Sequence, residues 1–240
     1  RFSRKTSCGS HRAVETTNSH VVHPGSMPFG VDEAGKGPVL GSMFAAAVVG
    51  DPDSLPSAVG DSKAIPAARR ETLAAEIAAE PALQIGLAEI TVAEIDAPET
   101  DMNTLTVAAH ARALSDAGVT GENGHVDAGD VNAERFGRRV ADRVEGELTV
   151  HAEHGADERY PLVGAASVVA KVARDAHVAA IDADYDRPVG SGYPGDEQTR
   201  TFLEAHVAAT GDLPDCARQS WQTSADVLAQ AAQTDLGAFD

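Results

Sequence analysis

From residue 29 onward the chain alternates short apolar runs with stretches whose apolar positions recur every three or four residues. The runs at 29–32 and 43–49 predict two strands, and Gly35-Lys36-Gly37-Pro38 between them reads as a tight turn. A helix is predicted over 66–79, opened by proline in its first turn, with Ile65, Leu73 and Ile77 along one face. Strand-like residues follow at 83–90, then a helix over 105–114 capped by Asn103 or Thr104. A short strand at 124–128 leads to a helix that Asn132 caps and that runs to about 144. Residues 148–153 alternate as another strand, 165–183 form a long Ala/Val helix, and 196–209 a shorter one. Beyond Gly211 come a Pro-containing loop and a last helix near 225–233. Strand and helix in alternation, without internal repeats, predict an α/β domain built on a central sheet.

Composition narrows this picture. A chain of 240 residues fits one fairly large domain, or one with an appendage. With 42% hydrophobic but only 4% aromatic residues, the core must consist mainly of Ala, Val, Leu and Ile. No apolar run approaches the roughly 18 residues of a membrane span, so a soluble protein with no membrane partner is expected. Cys8 and Cys216 stand in no CxxC or Cys/His spacing, which removes a disulfide framework and a zinc site and suits a reducing, cytoplasmic compartment. Residues 1–26 are rich in Ser, Thr, His and Arg and lack any period. They read as a leader, an upstream extension or a mis-assigned start, and are set aside. A catalytic domain is expected over 27–210, with a helical segment over 211–240 packed on it and fraying at its acidic end.

Charge changes the picture more. The net charge is −18, and of the 19 basic residues only four are lysines. Taken alone, such a balance repels nucleic acid. The acids are spread along the chain rather than bunched, which points to solvation in a very salty cytoplasm, where screening lengths shrink to a few ångström. Removing salt is expected to unfold such a protein.

The acids of interest sit at element ends. Asp32-Glu33 closes the first predicted strand, Asp127 closes another before Ala128-Gly129, and Asp175 lies in the otherwise apolar helix 165–183. Each has a plain reading: a solvated acid pair, a turn-forming Asp, and a surface pair with Lys171 one turn back. Adjacent strand residues point to opposite faces, so Asp32 and Glu33 reach one site only if the strand ends or bends there. Four converging carboxylates would repel one another, and such a set makes physical sense only around divalent cations.

Taken in order, the segments resemble ribonuclease HII. Residues 29–41, Phe-Gly-Val-Asp-Glu-Ala-Gly-Lys-Gly-Pro-Val-Leu-Gly, are similar to that family's GIDEAGRGPVxG motif. Asp61-Ser62-Lys63 resembles its DSK element, residues 126–136 its archaeal third-aspartate segment, and residues 165–175 its ASIIAKVxRD helix. Residues 190–196 resemble its GSGYPSD loop, and Arg218-Gln-Ser-Trp221 its closing RxSW. The resemblance implies a ribonuclease H-like mixed central sheet flanked by helices, with a helical C-terminal part. It implies hydrolysis of the RNA strand of RNA–DNA hybrids, including a ribonucleotide embedded in duplex DNA, leaving 5′-phosphate and 3′-hydroxyl ends. Asp32, Glu33, Asp127 and Asp175 would be the catalytic, metal-binding acids, with Mg²⁺ or Mn²⁺ as cofactor. Gly35, Lys36 and Gly37 would contact the backbone around the 2′-hydroxyl, Tyr193 would meet the ribose, and Lys63 and Lys171 would bind substrate.

One departure stands out: Lys36 replaces the motif's arginine, keeping the charge but losing the planar, bidentate fork. A monomer whose partner is the hybrid duplex is expected. The competing readings are a DNA nuclease of the same fold and a non-catalytic hybrid-binding protein. A DNA nuclease has no 2′-hydroxyl to read, and a mere binder gains only repulsion from the four acids.

Overall fold

In the computed structural model, which describes residues 27–59 and 66–237 with side chains as far as residue 233, the apolar run of β2 (Met43–Val49) is buried along its whole length. Successive strand side chains alternate faces. Met43, Ala45, Ala47 and Val49 enter one hydrophobic core, while Ala46 and Val48 enter another on the opposite side. A strand covered on both faces reads as a continuous apolar run, which is why the pattern here never alternates. The sheet is mixed, in the order β3-β2-β1-β4-β5. β1 (Phe29–Ala34) and β3 (Gln84–Ile90) flank β2 antiparallel to it, whereas β4 (Asn123–Asp127) runs parallel to β1 and β5 (Thr149–Glu153) parallel to β4.

Two helical layers cover the sheet. α3 (Met102–Asp116) and α4 (Ala133–Ala141) close the first core; α1 (Ala67–Ala79) and α5 (Pro161–Ala183) close the second. α5 crosses β1 so closely that a Cβ on Gly30 would stand 2.2 Å from the Leu162 carbonyl carbon, so only glycine fits there. α6 (Glu197–Thr210) and α7 (Gln222–Gly237) build a third cluster in which Phe202, Leu203, Val207 and Val227 meet Val39 and Leu40 from the loop after β1. Among the described residues no helix is long and apolar enough to cross a membrane.

Several boundaries differ from the sequence reading. α3 is capped by Asp101, not by Asn103 or Thr104: the Asp101 carboxylate accepts from the Thr104 backbone N–H at 2.9 Å. α5 starts at Pro161 rather than 165, because Gly164, which reads as punctuation, lies inside the helix where a Cβ would come within 3.0 Å of the Asp157 carbonyl. α4 ends at Ala141, short of 144. The one-turn helix α2 (Val92–Ile95) was not expected, although its Thr91/Glu94 capping box is written in the sequence. The leader at 1–26, Asp61-Ser62-Lys63, Ile65 and the last three residues lie outside the described residues.

Candidate active site

β1 and β4 are paired in parallel as far as Val31 and Val126. One residue further along each strand stand Asp32 and Asp127, so two carboxylates leave the same edge of the sheet side by side. The alternation that sends Asp32 and Glu33 to opposite faces gives each a different helix to meet. Asp32, only 5% exposed, turns toward α5, where the buried Ser167 hydroxyl favours its ionised form. Glu33 turns toward α3, its Oε2 2.8 Å from Nε2 of the buried His110. Asp127 Oδ1 accepts from the Ala156 backbone N–H at 2.8 Å.

On α5, Ser167, Lys171 and Asp175 are spaced four residues apart and so share a face. Lys171 Nζ donates to Ser167 Oγ at 2.6 Å, and its charge also favours the ionised form of Asp32. Asp175 does not pair with Lys171. It is half-exposed and bonds Arg70 at 3.1 Å and Arg174 at 3.3 Å. The Arg174 guanidinium lies 4.9 Å from the ring centroid of the exposed Tyr193 and donates to the Ser191 carbonyl. A Cβ on Gly37 would sit 3.8 Å from Tyr193 Cε1, which places the 35–37 turn against that ring. Gly35 has φ +92°, a conformation that favours glycine.

A cleft of about 450 Å³ is lined by Glu33, Asp175, the 35–37 turn and Tyr193 together with Arg70, Lys171 and Arg174, and Asp32 and Asp127 are not among its lining residues. Two of the chain's four lysines stand here in a protein of net charge −18, so basic character is concentrated where polyanion binding needs it. A larger groove of about 690 Å³ between α6 and α7 gathers no comparable chemistry; Glu204 is its one charged wall residue. Lys63 lies outside the described residues.

The electrostatics favour a cation. Burial first, and then the charges of Glu33 and Asp127, hold the Asp32 carboxyl well above the ordinary carboxylate range, against the opposing Ser167 and Lys171. Asp127 is likewise raised, mainly by burial, with Glu33 and Asp157 adding to it and the Ala156 N–H opposing. Among the described residues no three His, Cys, Asp or Glu side chains already stand in ligating positions, and Asp175 is drawn aside by its two arginines. Even so, the donors are all carboxylate oxygens, which suit a hard divalent cation, and the like charges that raise Asp32 are what such an ion neutralises.

The sequence reading missed the residues that hold the acids. His110, Ser167, Arg70 and Arg174 carry no spacing signal of their own. Ser167 and Arg174 stand inside the recognised helix motif of residues 165–175, whereas His110 and Arg70 lie outside every motif.

A family model described as Ribonuclease HII matches residues 29–224. A protein named Ribonuclease HII from Halobacterium salinarum is 60% identical over 211 residues, spanning 88% of this chain and 99% of its own. One of the same name from Haloarcula marismortui is 62% identical over 213 residues, spanning 89% and 100%. Among solved structures, the ribonuclease H2 from Pyrococcus horikoshii is similar with a TM-score of 0.78 at 32% identity, covering 86% of this chain and 99% of that one.

Proposed function

The chain belongs to the ribonuclease HII family, and we propose that Asp32, Glu33, Asp127 and Asp175 are the divalent-cation site with which it cuts. It is an endoribonuclease that hydrolyses the RNA strand of RNA–DNA hybrids. The observation that carries the site assignment is the pair Asp32 and Asp127 on adjacent parallel strand ends, with Glu33 beside them, and with burial first and then like charge holding Asp32 above the ordinary carboxylate range. Asp175 joins this set by exchanging its Arg70 and Arg174 partners for the cation.

The chain's own groups divide the remaining work. His110 fixes the Glu33 carboxylate, and Ser167 with Lys171 fixes Asp32. Lys171, Arg70 and Arg174 offset phosphate charge along the cleft. Gly35, Lys36 and Gly37 approach the sugar at the cut closely enough to read its 2′-hydroxyl, and Tyr193 offers an exposed ring against the same ribose. Lys63 is assigned to substrate binding on the family motif alone. Held by Asp32, Glu33, Asp127 and Asp175, Mg²⁺ or Mn²⁺ would supply Lewis acidity for activating water and offsetting the charge of the departing 3′ oxygen. The P–O3′ bond breaks, leaving 3′-hydroxyl and 5′-phosphate ends. A ribonucleotide embedded in duplex DNA falls within this scheme, since one 2′-hydroxyl is all the site must find.

Asp32→Asn and Asp127→Asn test the assignment. Each is expected to lower cleavage of a hybrid by about a thousandfold or more, since removing cation stabilisation costs several kcal/mol. Binding, read by mobility shift, should remain measurable. Near-wild-type cleavage by either variant would refute the site.

A further inference from the structure

Arg218 is fully buried, yet it makes no ion pair among the described residues. A guanidinium in the interior is costly unless its donors are satisfied, and here backbone carbonyls of a single loop satisfy them. Its Nη2 donates to the Gly35 carbonyl at 2.6 Å, Nη1 to Lys36 at 3.0 Å and Nε to Gly41 at 2.8 Å. Trp221 completes the set: its ring lies 4.7 Å beneath the guanidinium, and its Nε1 donates to the Gly37 carbonyl at 3.2 Å. The backbones dovetail as well, with Arg218 N–H bonded to Val39 O and Gly41 N–H to Cys216 O, each at 2.8 Å.

In a planar trans peptide, the C=O of one residue and the N–H of the next point in opposite directions, and no cis bond occurs among the described residues. Holding the Gly35 and Lys36 carbonyls against Arg218 therefore turns the amides of Lys36 and Gly37 away from it. Both residues line the cleft, and neither amide has an acceptor among the described residues. The carbonyl of Gly37, held by Trp221, is followed by Pro38, which has no N–H. The clamp thus fixes two outward donors and no more.

We propose that Arg218 and Trp221 are positioning residues for ribose selection: the C-terminal segment grips the loop 35–41 by its carbonyls and so aims the Lys36 and Gly37 amides at the 2′-hydroxyl. This rests on the reading that the 35–37 turn meets the ribose at the cut. Neither side chain touches substrate; both act through the peptide planes.

The test uses the full chain in molar salt with a divalent cation. Four quantities are measured: kcat and KM on a DNA duplex carrying one ribonucleotide, the inhibition constant of the same duplex made wholly of DNA, and the melting temperature. Trp221→Phe keeps the ring over Arg218 and removes one hydrogen bond. It should lower kcat/KM by about three- to tenfold, chiefly through KM, while the all-DNA inhibition constant and Tm stay near wild type. Arg218→Lys, which cannot hold three carbonyls at once, should lose more; if it does not fold, Trp221→Phe decides alone. Unchanged kcat/KM in Trp221→Phe overturns the proposal, as does an equal weakening toward both duplexes. A wild-type protein that fails to cut the ribonucleotide duplex would instead overturn the functional reading on which the proposal rests.

Discussion

Lys36 stands where the family motif has arginine, and its side chain turns inward: Nζ donates to the Gly129 carbonyl and lies 3.4 Å from Asn103 Oδ1. With the side chain engaged in the protein, the substrate contact proposed for the turn falls to its backbone. The loss of arginine's fork therefore matters little. Lys36→Arg is expected to leave KM on a hybrid unchanged, and a marked fall in KM would show that the side chain grips phosphate directly. The strand-end and helix positions of the four proposed acids were legible in the sequence, because their order and spacing survive translation into β1, β4 and α5. Their supports were not. His110 lies 77 positions from Glu33, and Arg70 lies 105 from Asp175. Nothing local marks a histidine inside an apolar helix as the partner of a strand-end glutamate. Only the packing of α3 on the sheet makes it one.

Asp196 shows how one element end serves a site it does not enter. As the N-cap of α6 it accepts from the Gln198 backbone N–H at 3.0 Å, and it also holds the Ser191 backbone N–H at 2.6 Å, which ties the loop carrying Tyr193 to the helix. The bonds from Ser191 and then Gln198 pull its pKa down to about 2 from the ordinary 3.8. Because the folded value is the lower one, the charged carboxylate stabilises the fold fully above pH 3.8, and that contribution drains away as the pH falls toward about 2. Asp196→Asn keeps a capping oxygen but loses the charge. Thermal melts should place it below wild type at neutral pH, with the gap closing below about pH 4; a gap independent of pH would contradict this. Most elements were legible because their periods are clean. The exceptions have local causes: the true cap of α3 lies one residue before its first helical position, and Gly164, a turn signal in isolation, is required inside α5 by close contact.

Over the whole molecule, a net charge of −18 must coexist with a polyanionic substrate. The cleft resolves this locally by gathering Lys36, Arg70, Lys171 and Arg174, while the acids elsewhere remain dispersed. Relatives from halophilic archaea fit the same adaptation. At low ionic strength the screening length grows to about 30 Å, and repulsion among the dispersed carboxylates should outweigh packing in a core built of small aliphatic residues. Circular dichroism should report cooperative unfolding when molar KCl is dialysed away; a melting temperature that does not depend on salt would contradict salt adaptation. The central claim, that this carboxylate set cuts RNA by holding a divalent cation, is met most directly by incubating the protein in molar KCl with a DNA duplex bearing one ribonucleotide. A single nick, with a 5′-phosphate and a 3′-hydroxyl, is expected when Mg²⁺ or Mn²⁺ is present, and none in chelator or on the all-DNA duplex. Nicking that persists in chelator, or that ignores the ribonucleotide, would contradict it.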